Sequence, residues 1–107
     1  MTMWCKENIQ EAVRCLKALA HPTRLEILCV LRDGEKSVYE LQTLLGCTQS
    51  NISQHLGVMR ERNVLQARKD ANQVYYGVKY DELFCLLDVL QEMYCPSSAE
   101  QHIADDE

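Results

Sequence analysis

Apolar residues recur along the chain at two spacings, and the points where the spacing changes divide it into elements. Over residues 6–20, Ile9, Ala12, Val13, Leu16, Leu19 and Ala20 fall on one stripe of a 3.6-residue repeat, which predicts a first helix. "HPTR" interrupts the stripe. Pro22 suits the first position of a second helix over 22–32, where its missing N–H costs no hydrogen bond. That helix is apolar nearly all round (Leu25, Ile27, Leu28, Cys29, Val30, Leu31), as expected of a central helix. Asp33-Gly34 should end it, with Gly34 placed for a left-handed cap. Ser37 and Glu40 then have capping-box spacing, ahead of a short third helix whose apolar face is Val38, Leu41, Leu44 and Leu45. Gly46 closes that helix. After Cys47, Thr48 can cap a fourth helix over 48–62, with Ile52, Leu56 and Met59 inward and Asn63 able to take the left-handed conformation that stops it.

The repeat next shortens to two. Leu65 and Ala67 alternate with Gln66 and Arg68, "KDANQ" turns, and Val74, Tyr76 and Val78 alternate with Tyr75 and Gly77. This predicts a β-hairpin with basic residues near its tip. Asp81 is placed to cap a last helix over 82–95 with Leu83, Leu86, Leu87, Leu90, Met93 and Tyr94 as its main stripe. Phe84, Cys85 and Val89 lie outside that stripe, so the helix is expected to touch both the domain core and another subunit. Pro96 should stop it. Two helices joined by a tight glycine-containing turn, followed by a hairpin and a closing helix, spell a winged helix-turn-helix: mainly α with a β-hairpin wing. One domain over residues 1–95 is expected, followed by a disordered acidic tail over 96–107, where "SSAEQHIADDE" has four acids and no base.

Composition supports a globular domain: 107 residues, 47% hydrophobic and 25% charged. A domain of this size buries only about two-thirds of its unfolded surface, so a partner subunit would add useful core. "MTMWCKENIQ" has no apolar signal region, and no apolar run reaches the ~18 residues that would span a bilayer. A cytoplasmic chain without a membrane partner is the expectation. The net charge of −5 argues superficially against nucleic acid. Its distribution does not. Residues 46–80 hold Arg60, Arg62, Arg68, Lys69 and Lys79 against only Glu61 and Asp70. A basic segment in an acidic protein can dock on phosphate while the remainder limits indiscriminate binding.

In a helix-turn-helix the second helix enters the major groove. Its polar face here offers Gln49, Ser50, Asn51, Ser53, Gln54 and His55, which can donate to and accept from base edges or phosphates. Arg60, Arg62, Arg68 and Lys69 are better placed for the backbone.

"LKALAHPTRLEILCVL" followed by "SNISQHLGVMRERNVLQARKDANQVYYGV" closely resembles the ArsR/SmtB family of bacterial repressors, over about residues 12–95. The resemblance implies a homodimer built through the first and last helices, bound to an inverted-repeat operator and released by an inducer. Gly57 inside the recognition helix is a local departure, costing roughly 1 kcal/mol of helix propensity relative to Ala.

Two metal-site patterns of that family are missing: the third helix, "SVYELQTLL", holds no cysteine, and residues 82–95 hold no histidine. His21, His55 and His102 read as caps, surface residues or DNA contacts. No metal site or other cofactor is expected. Six cysteines, at positions 5, 15, 29, 47, 85 and 95, include no C-x-x-C, and in a reducing compartment they should rest as thiols. Cys29 in "ILC" and Cys95 in "YCP" resemble the dithiol of the SqrR/BigR/HlyU subgroup. That resemblance implies a sensor of reactive sulfur species or other oxidants, in which the two thiols of one subunit become linked and DNA affinity falls. On physical grounds neither thiol is expected to be acidic: Cys29 should be desolvated, and Cys95 lies at a helix C-terminus. Cys47, expected to be exposed just before a helix N-terminus, is the better candidate for a reactive thiol. Cys5, Cys15 and Cys85 read as packing or surface residues. Two alternatives stay open: a soft-metal sensor using Cys95 with Cys29 or Cys85, and an antagonist that displaces a silencing protein from DNA. No cysteine has a recognisable His/Asp or His/Asn partner pattern, and no phosphate loop is present, so an enzyme is not expected.

Overall fold

A computed structural model describes residues 4–95. The predicted acidic tail and the stop at Pro96 lie outside these residues. Five helices and three short strands follow in order: α1 (Lys6–Leu19), α2 (Pro22–Leu31), β1 (Lys36–Ser37), α3 (Val38–Leu45), α4 (Gln49–Glu61), β2 (Leu65–Asp70), β3 (Gln73–Val78) and α5 (Glu82–Tyr94). Among the described residues no helix is long and apolar enough to cross a membrane.

The caps explain most of the boundaries. His21 Nδ1 accepts from the Thr23 N–H at the head of α2, beside Pro22. Ser37 Oγ accepts from the Glu40 N–H (3.2 Å) and Glu40 Oε1 from the Ser37 N–H (2.9 Å), closing the capping box of α3. Gly46 ends α3 at φ +69°, and Thr48 Oγ1 accepts from the Asn51 N–H at the head of α4. Asn63 follows α4 at φ +64°. Two expected caps differ. Gly34 has φ +129°, outside the left-handed helical well, and its N–H donates to Leu31 O across a turn. Asp81 is itself helical and makes no side-chain cap; its carbonyl accepts from Phe84 N–H instead.

Ile27 and Leu28 of α2 and Leu41 of α3 meet Ile52, Leu56 and Met59 of α4, all essentially inaccessible, with Val64 closing the core before the wing. Burying each such side chain contributes roughly 1.5–3 kcal/mol, so the helix-turn-helix is the most strongly held part of the chain. α2 is the central element, packing on α1, α3, α4, α5 and β3.

The wing is a three-stranded antiparallel sheet in the order β1-β3-β2, not an isolated hairpin. Lys36 pairs with Tyr76 and Ser37 with Tyr75, while Leu65 to Asp70 pairs with Val78 to Gln73. Ser37 therefore ends a strand and caps α3 at once. Gly77 is buried on β3, and a methyl group there would stand 3.2 Å from Glu35 Cγ. The glycine lets the Glu35 stem lie close over the strand, toward Arg68.

The two amphipathic end helices are less buried than their stripes suggest. On α1, Ala18 and Leu19 are buried and Ala12 and Cys15 half-buried, but Ile9, Val13 and Leu16 are exposed, and so is Ala20 beyond its end. On α5, Leu83 and Leu87 are buried and Phe84, Leu86 and Leu90 half-buried, whereas Val89, Met93 and Tyr94 are exposed.

Candidate nucleic-acid interface and thiol groove

The outward face of α4 is built by its own periodicity. With Ile52, Leu56 and Met59 inward, Gln49, Ser50, Asn51, Ser53 and Gln54 are all exposed in its first two turns. No acid occurs in the first turn, so the helix N-terminus presents partial positive charge together with amide and hydroxyl groups. Gly57 continues this face; a methyl group there would meet no atom within 4 Å. Arg60 and Lys69 are exposed, and Arg62 is half-buried.

Two expected DNA contacts have other commitments. Arg68 is exposed, but its guanidinium pairs with Glu35 (2.8 Å) and Asp70 (3.5 Å) and lies over the Tyr75 ring. Its charge is largely answered within the wing, and these contacts, Glu35 first, raise its already high pKa. His55 is half-buried, its Nδ1 accepting from Arg24 Nε at 3.2 Å and its ring 4.4 Å from that of His21. An accepting Nδ1 puts the proton of the neutral ring on Nε2. Burial first, and then the neighbouring His21 and Arg24, hold the His55 pKa below its ordinary value. Arg24 also donates to the Lys17 and Ala18 carbonyls, so it ties the end of α1, the head of α2 and the middle of α4 together. His55 is thus first a strut between helices. Sequence reasoning missed Arg24, because nothing in "HPTR" shows that a residue 31 positions later will face it.

Cys29 is exposed, not desolvated. α2 is apolar on all sides, and the side that carries Cys29 turns away from Ile27 and Leu28 toward α5. There Cys29 and Cys95 line one groove of about 530 Å³, with Leu25, Leu87, Leu90 and Tyr94 as its apolar walls and Arg32 and Gln91 as its polar ones. Arg32 clamps the two helices, reaching Asp88 Oδ1 at 2.6 Å and Phe84 O at 2.8 Å. All six cysteines are free thiols. Cys47 is half-buried rather than exposed, and its thiol is directed at Leu45 O (3.8 Å). Burial pushes the Cys15 thiol pKa up. Among the described residues no three His, Cys, Asp or Glu side chains converge as a metal site.

A capped helix-turn-helix, a three-stranded wing and an exposed polar helix define a winged helix-turn-helix DNA-binding regulator rather than an enzyme. Residues 21–67 match the family described as bacterial regulatory protein, arsR family. The transcriptional activator HlyU of Vibrio cholerae is 39% identical over 93 residues, covering 87% of this chain and 86% of HlyU. Its solved structure superposes with a TM-score of 0.76 at 40% identity, over 85% of this chain and 99% of that one. The biofilm growth-associated repressor of Agrobacterium fabrum is 40% identical over 90 residues, 84% of this chain and 77% of the repressor. The homodimeric winged helix-turn-helix DNA-binding domain of Mb0332 from Mycobacterium bovis superposes at 0.75 with 26% identity, over 89% of this chain and 94% of that one. The chain belongs to the arsR family of bacterial transcriptional regulators, in the group that includes HlyU and the biofilm repressor.

Proposed function

We propose that this regulator is a homodimeric repressor that releases an inverted-repeat operator when Cys29 and Cys95 of one subunit are linked by reactive sulfur species or by oxidants. The observation that carries the reading is that both thiols line one groove between α2 and α5, on a wall shared with the Arg32 clamp. Glutathione persulfide can transfer one sulfur to each thiol, releasing glutathione. The two protein persulfides then condense to a trisulfide with loss of hydrogen sulfide, or one persulfide and one thiol to a disulfide with the same loss. The persulfide is itself the oxidant. A direct disulfide requires Cα atoms within ~7 Å, and each inserted sulfur relaxes that demand.

A bridge would fasten α5 to the helix on which α3 and α4 rest. Homodimerisation is supported by the exposed apolar rows Ile9, Val13 and Leu16 on α1 and Val89, Met93 and Tyr94 on α5, and by the homodimeric relative Mb0332. Gln49, Ser50, Asn51, Ser53 and Gln54 read bases, with His55 held beside them, while Arg60, Arg62 and Lys69 meet phosphate and Arg68 shapes the wing.

Mass spectrometry after exposure to glutathione persulfide, and separately to peroxide, tests the chemistry. A Cys29–Cys95 link, with release from a duplex selected from a random library, is the expected result. Absence of that link under both reagents refutes the sulfur switch. Cys29→Ser and Cys95→Ser are each expected to bind the duplex and fail to release it. Loss of binding in the reduced variants would count against a purely sensory role.

A further inference from the structure

We propose that the cleft between α1 and the end of α4 binds a backbone phosphate of duplex DNA, which adds Arg14 and Lys17 to the reading surface. This rests on α4 being the helix that enters the major groove. Gln10, Arg14 and Lys17 lie at i, i+4 and i+7, one line along α1. Together with Val13 and Arg62 they line an open cleft of about 490 Å³. Its lining holds three cations and no acid. Among the described residues, the ion pairs are those of Arg32 with Asp88 and of Arg68 with Glu35 and Asp70; none occupies Arg14, Lys17 or Arg62. Like charges gathered in one cleft repel one another, and a shared anion turns that repulsion into attraction.

The position selects DNA phosphate over a free anion. With Ile52, Leu56 and Met59 inward, 100° per residue puts His55, Val58 and Arg62 on the flank of α4 that faces α1. His55 touches His21 there, and Arg62 shares the cleft with α1. The wing packs on α4 through β2 and offers its own cation, Lys69, while Arg68 is tied to Glu35. A helix seated in the major groove has a phosphate strand on either side. The wing meets one, and the Arg14–Lys17–Arg62 cleft is built to meet the other. Arg14 and Lys17 of α1 are invisible to a reading that looks for DNA contacts only within the helix-turn-helix and wing.

Each phosphate contact contributes about 0.9 to the slope of log K against log salt. Fluorescence anisotropy on a mixed-sequence duplex over a series of NaCl concentrations measures that slope. The double variant Arg14→Gln/Lys17→Gln is expected to lower it by about 1–2 per protomer, with affinity falling about tenfold or more at low salt. Arg14→Lys should keep the slope. Arg62→Gln should lower it in the same sense, and a wild-type melting temperature in the double variant shows that α1 still packs. An unchanged slope in the double variant overturns the proposal whatever Arg62→Gln does, because Arg62 is already among the phosphate contacts proposed for α4. The same holds if inorganic phosphate raises the melting temperature of the wild type alone while the slopes agree, because the cleft then takes a free anion. Failure of the wild type to bind the duplex at any salt would instead overturn the reading of α4, and this proposal with it.

Discussion

Gly57→Ala separates the stability of the recognition helix from its use. Gly57 lies in the third turn of α4, on an exposed face, and an added methyl group would meet no protein atom within 4 Å. The substitution therefore creates no clash, relieves no left-handed backbone and buries no new surface. Only helix propensity remains, worth about 0.8–1.0 kcal/mol in favour of Ala. For a domain of this size that raises Tm by roughly 4–8 °C. Thermal unfolding followed by circular dichroism, at matched protein concentration because the proposed dimer would melt by mass action, checks the shift. The same methyl group stands in line with Ser50, Gln54 and Glu61 at helical spacing, on the face proposed to enter the groove. Affinity for a selected duplex should therefore fall as Tm rises. A Tm that stays level or drops refutes the propensity argument; a raised Tm with unchanged affinity refutes the assignment of this face to DNA.

Ala71 holds φ +56° in the wing turn, a conformation that costs a non-glycine residue about 1 kcal/mol, so Ala71→Gly should raise the unfolding free energy measured by urea titration by up to that amount. His55 has a folded-state pKa below the unfolded value of about 6.5, so its contribution to stability is complete above about pH 6.5 and is lost as pH falls toward the lower folded value. Urea titrations at about pH 7.5 and about pH 5.5 should show the loss, and His55→Gln should flatten it; equal pH dependence in both proteins would refute the assignment. Glu35→Gln releases Arg68 from its closest carboxylate, so affinity for mixed-sequence DNA should rise and its salt dependence steepen. A fall in affinity would mean that the Glu35–Arg68 pair is needed to hold the wing in shape.

What was legible in the sequence follows from how local each signal is. Ser37 with Glu40, Gly46, Thr48 and Asn63 each set a boundary through partners within three or four positions, and each boundary lies where the residue types demand. β1 could not be read, because two residues carry no period and its partner is Tyr75–Tyr76, on the far side of the helix-turn-helix. The exposure of Cys29 was hidden for a different reason. A helix that is apolar on every side does not show which side is left for solvent, and only the path of α5 decides it. Cys47 was misread because its thiol turns back toward Leu45 O instead of outward. The His21–Arg24–His55 cluster joins the end of α1, the head of α2 and the middle of α4, a meeting that no spacing encodes.

α2 has ten residues, and its two ends hold different things. Near its head, Arg24 grips the middle of α4; in its last turn, Cys29 lines the groove that Cys95 also lines, and Arg32 just beyond grips α5. The five residue steps from Arg24 to Cys29 span only about 7–8 Å of helix axis. A rod that short does not bend, so force applied at one end arrives at the other as displacement. Under the proposed thiol switch, the chemistry on the α5 side of the rod could therefore be exchanged in evolution without redesigning the transmission, as long as the new contact still pulled on the same end.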